Sequence, residues 1–121
     1  MNCVFCKIIS GEFSSYKLYE DDKVIVILAA DPVVDGHSLV IPKEHVEDIT
    51  CVSKELLSHM YDVAMKMTPV LMEKMNATAM TYTFNYGESQ SVKHLHLHLL
   101  PDYTIKTASK SMEEVFNIIT K

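Results

Sequence analysis

The chain predicts a mixed α+β fold on a mostly antiparallel sheet, and three observations carry that expectation. Short apolar runs of strand length recur between turn signals. One long segment, residues 53–76, instead places apolar residues at spacings of three and four. The run His94-Leu95-His96-Leu97-His98-Leu99-Leu100 alternates imidazole with leucine at the period of a strand. Such a strand lines one face with three imidazoles and buries the leucines behind them.

The elements follow in order. Residues 3–10 read as a short helix stopped by Gly11. Residues 16–20 read as a short strand closed by Asp21-Asp22. Val24-Ile25-Val26-Ile27-Leu28 is a continuous β-branched run, hence a buried strand. Asp31-Pro32 and Asp35-Gly36 turn the chain twice before a strand over 37–41, which Pro42 stops. In the long helix, Leu56, Leu57, Met60, Ala64, Met67, Leu71 and Met75 form the apolar stripe, and Pro69 is expected to kink or divide it. A strand over 80–86 and a tight loop over 87–91 lead into the histidine run. Residues 111–121 read as a short amphipathic helix.

Length and composition bound the function. A chain of 121 residues has room for one core, so residues 1–121 are read as a single domain. The net charge of −5 argues against general affinity for nucleic acid or an anionic membrane. No apolar stretch is long enough to span a bilayer, and Met1-Asn2-Cys3-Val4-Phe5-Cys6-Lys7 lacks the pattern of a signal peptide, so the expected compartment is the cytoplasm. Three cysteines there do not suggest a disulfide framework. Eight methionines suit a helical core.

Several constellations carry chemistry. Cys3-x-x-Cys6 is half of a tetrahedral zinc site, and His45 and one histidine of the triad are available to complete it. By itself the pair also fits two buried small residues. The triad admits two active readings. Alternate histidines can ligate a hydrolytic metal, or one imidazole can attack an electrophile while its neighbours orient it and handle the leaving group. Three core histidines satisfied by backbone would need several buried partners. Asn85-x-Gly87-Glu88-Ser89-Gln90-Ser91-Val92 offers amide, hydroxyl and backbone N–H donors suited to phosphate oxygens. His37 opens a strand and is placed to back the triad. His59 and Cys51 read as structural.

Three segments, in order, carry a family resemblance: Cys3-x-x-Cys6-Lys7-Ile8-Ile9, Gly36-His37-Ser38-Leu39-Val40-Ile41-Pro42-Lys43-x-His45, and Gln90-Ser91-Val92-x-His94-x-His96-x-His98-Leu99-Leu100-Pro101. Together they resemble the histidine-triad (HIT) superfamily over about residues 3–103. The resemblance implies a five-stranded antiparallel sheet with one long helix and short terminal helices, dimerising into a ten-stranded sheet. It implies nucleotide hydrolases and transferases that cleave at the α-phosphate through a nucleotidyl-phosphohistidine.

Carried over by position, His96 resembles the nucleophile and His98 the residue that contacts the phosphate and its bridging atom. Ser91, Gln90 and Asn85 match positions that contact the phosphate or leaving group, and His37 matches the histidine that supports the triad. In zinc-bearing relatives the metal ligands correspond to Cys3, Cys6, His45 and His94. All four positions of such a site are filled by protein, so the zinc is structural. No organic cofactor is implied.

Three departures stand out. The family pattern has Asp or Asn where this chain has Ala29, leaving Asp31 as the neighbouring candidate for binding the ribose. The loop from Asn85 to His94 is shorter than the pattern. Asp102 replaces an arginine, which is expected to repel long polyphosphates. The expected function is therefore a purine nucleoside phosphoramidase acting as a homodimer. The alternatives are a dinucleoside polyphosphate hydrolase, a nucleotide-binding protein with little turnover, and a metallohydrolase that uses the triad directly.

Overall fold

The structure, a computed structural model, describes residues 3–121. Eight regular elements follow one another: α1 (Val4–Ile9), β1 (Lys17–Glu20), β2 (Val24–Leu28), β3 (Ser38–Pro42), α2 (Lys54–Lys74), β4 (Met80–Thr83), β5 (Leu97–Pro101) and α3 (Met112–Thr120). A single 3₁₀ turn, Gly87–Ser89, lies between β4 and β5. The strands form one five-stranded sheet in the order β1-β2-β3-β5-β4, with every pair antiparallel. The expected fold class is therefore observed.

Period-two alternation divides the central strands between two cores. Val24, Val26, Leu28, Val40, Leu97 and Leu99 face α2 and α3. Ile25, Ile27, Ala29, Leu39 and Ile41 face the other side, where Cys3 and Phe5 of the N-terminal segment cover them. Both faces of β2 and β3 are covered, which is why these runs are continuously apolar rather than alternating with polar residues.

Helix α2 is continuous through Pro69. The proline removes one backbone donor, and the helix is held by the stripe Leu56, Met60, Val63, Ala64, Met67 and Leu71 buried on the sheet. Ser53 caps its start by accepting from the Leu56 N–H at 3.1 Å.

The histidine run differs in part from expectation. Its strand begins at Leu97, not His94. Leu97 pairs with Val40, so the ladder would next require the N–H of Pro42, which proline lacks. Residues 94–96 are held individually instead. Leu95 N–H donates to the Val46 carbonyl at 2.7 Å, and His94 Nε2–H donates to the Pro42 carbonyl at 2.8 Å. The alternation of faces survives: Leu95, Leu97 and Leu99 enter the α2 core, with the imidazoles opposite. Strand β4 likewise ends at Thr83, opposite His98, short of the expected residue 86.

Gly36 fixes the turn that delivers His37. Its φ is +88°, and a Cβ there would meet Met75 Cγ at 2.8 Å and Pro101 Cγ at 3.2 Å. Gly36→Ala is therefore expected to destabilise the fold by on the order of 1–3 kcal/mol, measured by urea unfolding. An unchanged midpoint would show that the turn relaxes freely.

Candidate active site

Strands β3 and β5 bring four histidines together. Leu39 pairs with His98, which places His37 one row along the same face. The His37 and His98 ring centroids lie 5.2 Å apart and those of His96 and His98 4.8 Å apart. Phe5, between the two cysteines of α1 and its cap, meets the His96 ring edge-on at 4.9 Å. Histidines 37, 96 and 98 open into a cleft of about 720 Å³. One side is apolar, with Phe5, Ile8, Ile27 and Leu39; Asp31, Ser91 and the histidines supply polar groups.

The hydrogen-bond network sets the tautomers. The His94 carbonyl can only accept, so His96 donates Nδ1–H to it at 2.8 Å and its Nε2 keeps a lone pair. The Val33 N–H donates to His37 Nδ1 at 3.2 Å, so the His37 proton lies on Nε2. That proton is donated to His98 Nδ1 at 2.9 Å, leaving the His98 proton on Nε2. Asn85 Nδ2 lies 3.3 Å from that nitrogen, and since both groups would then be donors, exchanging the amide nitrogen and oxygen lets the Asn85 oxygen accept the proton. The site thus presents an acceptor nitrogen on His96 beside a donor nitrogen on His98.

Burial keeps these rings neutral. Desolvation lowers His37 to about 4, helped by the neighbouring His96 and opposed by Asp31. Desolvation also lowers His98 to about 4, with His96 and His37 adding to the shift. His96 and His94 are lowered for the same first reason.

A second cluster adjoins the first through His94. The ligand atoms of Cys3, Cys6, His45 and His94 all lie within 4.8 Å of one another. His94 Nδ1 is 3.3 Å from Cys3 Sγ, 3.6 Å from Cys6 Sγ and 3.1 Å from His45 Nδ1. Tetrahedral zinc with ordinary bond lengths separates such ligands by about 3.4–3.8 Å. His94 Nε2–H is already donated to a backbone carbonyl, which turns Nδ1 towards the cluster. The donor set and spacing therefore fit a metal ion.

The remaining expected site residues are placed unequally. Ser91 and Asp31 are exposed and line the cleft. Gln90 is buried, with its amide nitrogen donating to the Glu47 carbonyl at 2.6 Å and the Val92 carbonyl at 3.1 Å, so it braces the loop. Asp102 differs from its expected place near the phosphate. It lies past the far end of β5, caps Thr78 and Ala79 N–H through Oδ1, and pairs with Lys106 at 2.9 Å. His59 bonds Asp21 at 2.8 Å, tying α2 to the β1–β2 turn, a structural role. Cys51 is exposed. The Val33 N–H, Phe5 and Met112 were missed. Only Phe5 carried a signal, its place inside the cysteine pair.

The HIT domain model matches residues 10–105. The chain belongs to the HIT family. It is 38% identical over 104 residues to Protein hit of Bacillus subtilis, covering 84% of this chain and 72% of that protein. It is 36% identical over 106 residues to an adenosine 5′-monophosphoramidase of Candida albicans, covering 83% of this chain and 70% of that one. Its fold matches the crystal structure of a Zn-bound histidine triad family protein from Mycobacterium smegmatis with a TM-score of 0.89 and 32% identity, covering 98% and 91% of the two chains. Among the described residues of the present chain, no helix is long and apolar enough to cross a membrane.

The lowered histidines make stability depend on pH. Below about 6.5 the unfolded chain takes up protons that folded His37 and His98 refuse until about 4. Their contribution is full above about 6.5 and is lost as pH falls towards 4. The thermal midpoint should therefore drop between pH 7 and 5, with a shallower slope in His37→Gln or His98→Gln. Identical slopes in variants and wild type would exclude these rings as the cause.

Proposed function

We propose that the cleft hydrolyses nucleoside 5′-phosphoramidates through a phosphohistidine on His96. The observation that supports this most is the unprotonated His96 Nε2 beside the protonated His98 Nε2. His96 Nε2 attacks phosphorus and forms the P–N bond while the bond to the leaving nitrogen breaks. His98 Nε2–H donates to that nitrogen, which departs as the amine with a proton drawn, net, from solvent. Water then attacks phosphorus, the P–Nε2 bond breaks, and nucleoside monophosphate and the water proton are released. His37 holds His98 in its donor tautomer. Ser91 and the loop N–H groups meet charge on the non-bridging oxygens. Asn85 supports the leaving-group side, Gln90 shapes the phosphate loop, and Asp31 accepts from the sugar edge.

Charge favours this substrate over dinucleoside polyphosphates. The chain contains no arginine, and no lysine lines the cleft. Lys93, in the loop before the histidines, donates to the Gly87 carbonyl at 2.8 Å. A single phosphoryl anion can be held by neutral donors, whereas each added phosphate brings an uncompensated charge. The Asp102 repulsion expected from sequence is not needed. The Candida albicans relative is named for a phosphoramidase activity of the same type.

With adenosine 5′-phosphoramidate, the purified protein should release AMP, and His96→Ala should lower turnover by about 10³-fold or more. Release only from diadenosine tetraphosphate would favour the second reading. Nucleotide binding without release from either would favour a binding protein.

The cysteine–histidine cluster, on the same proposal, holds structural zinc. Cys3, Cys6, His45 and His94 fill its four positions and clip α1 against the histidine face. The edge strand β4 supports a homodimer with a continuous ten-stranded sheet. Beside it, Met65 is 72% exposed, and Tyr61 and Tyr82 also remain uncovered. Light scattering should give twice the chain mass. Chelator should release one zinc per chain and lower the thermal midpoint, and Cys3→Ser should do the same. A protein that holds no metal after preparation with zinc would sink the zinc assignment; a monomer would sink the dimer.

A further inference from the structure

Beyond residue 105 the chain leaves the segment matched by the family model, yet it returns to the cleft. Asp35 brings it back. Its Oδ1 accepts from the backbone N–H groups of Ser109 at 2.9 Å and Lys110 at 3.0 Å. Its Oδ2 accepts from the Ser109 hydroxyl at 3.0 Å. These bonds join the turn that carries Asp31 and His37 to the residues just before α3.

Helix α3 is then placed firmly. The Ser111 hydroxyl accepts from the Glu114 N–H at 3.1 Å, and Val115 and Ile119 enter the core. Met112, the first residue of α3, is half-buried and lines the cleft. It packs beside Leu28, Ala29 and His37 around a void of only about 10 Å³, so this corner is closely filled.

The wall lies at one end of the cleft. Strand β3 separates β2 from β5, about 10 Å at ordinary strand spacing, which a nucleoside attached to phosphorus at His96 can cross. Ser91 of the polar loop lines the same cleft. Leu28, Ala29 and Met112 carry no side-chain hydrogen-bonding group. A flat, apolar-faced group such as a nucleobase suits that wall, and a charged one does not.

We propose that Met112 is the specificity-determining wall for the group carried farthest from phosphorus, with Asp35 as the positioning residue that holds it there. The inference rests on the phosphohistidine reading for its orientation of substrate. It goes beyond that reading by assigning substrate choice to a segment outside the matched family region.

Two substrates separate the wall from the chemistry. Adenosine 5′-phosphoramidate spans the cleft, whereas methyl phosphoramidate reaches only the histidines. In Met112→Trp the KM for the adenosine compound should rise about ten-fold or more, while kcat/KM for the methyl compound stays within about two-fold. Asp35→Ala should raise the adenosine KM at nearly constant kcat. Asp35→Asn keeps an acceptor for both backbone N–H groups and should restore most of the affinity. Met112→Leu, close in volume, should behave as wild type. Equal losses on both substrates, or an unchanged adenosine KM in Met112→Trp, would overturn the proposal. If the wild type hydrolyses neither compound, AMP affinity by calorimetry decides. AMP binding that weakens about ten-fold in Met112→Trp sustains the wall although the phosphohistidine reading fails. No AMP binding by wild type, or affinity unchanged by Met112→Trp, overturns the wall.

Discussion

His94 commits each of its polar side-chain atoms, and its carbonyl, to a different part of the molecule. Nε2–H is donated to the Pro42 carbonyl at the end of β3. Nδ1 faces Cys3, Cys6 and His45. Its carbonyl accepts Nδ1–H of His96 and so fixes which nitrogen of that ring faces the cleft. The ring is fully buried, so none of these partners can be exchanged for water without loss. The fold, the metal-ligand cluster and the acceptor nitrogen of the candidate nucleophile therefore share one residue.

The sheet explains why so small a chain can hold this arrangement. Leu95, Leu97 and Leu99 anchor the histidine segment in the α2 core, so the imidazoles opposite them have little freedom to turn. Phe5 packs on the other side of His94 and His96, and its own position follows from the adjoining cysteines. On the far side of His98, Gly36 allows the 29–37 turn to approach Met75 and Pro101 closely. The Val33 N–H of that turn then starts the His37–His98 hydrogen-bond chain. Backbone carbonyls orient His94 and His96, and His98 is oriented by His37, whose own tautomer the Val33 N–H sets; no carboxylate takes part.

Much of this was legible from residue spacing. Alternation at 94–100 placed leucines and histidines on opposite faces without reference to the ladder, so that expectation held even where strand pairing failed. Pairing failed because Pro42, forty residues or more away in sequence, falls opposite Leu95, and register between distant strands is not written locally. The stripe from Leu56 to Leu71 outweighed Pro69, because burial is summed over the helix and the missing donor is a single group. Gln90 and Asp102 are polar residues beside a motif, and sequence set Gln90 at the phosphate and Asp102 to repel long polyphosphates. Their carboxyl or amide groups instead satisfy backbone atoms of residues 47, 78, 79 and 92, contacts that only the folded chain creates. Met112 had no local signal, since its place at the cleft depends on Asp35 holding residues 109 and 110.

The electrostatics of the cleft follow from burial. A histidine that attacks phosphorus must have a free lone pair, and desolvation of His96 secures one without a neighbouring base. The same desolvation lowers His37 and His98 to about 4, so no imidazole in the group offers a resident positive charge near neutral pH. With lysine absent from the lining and Asp31 present, the phosphoryl oxygens of the proposed substrate must be met by neutral donors. Fixed N–H and O–H dipoles in a partly dry cleft can stabilise one transferring anion. They do so less well for every further charge, because each must also be stripped of water. On the proposed phosphohistidine reading, the burial that readies His96 thereby narrows the substrates it can serve.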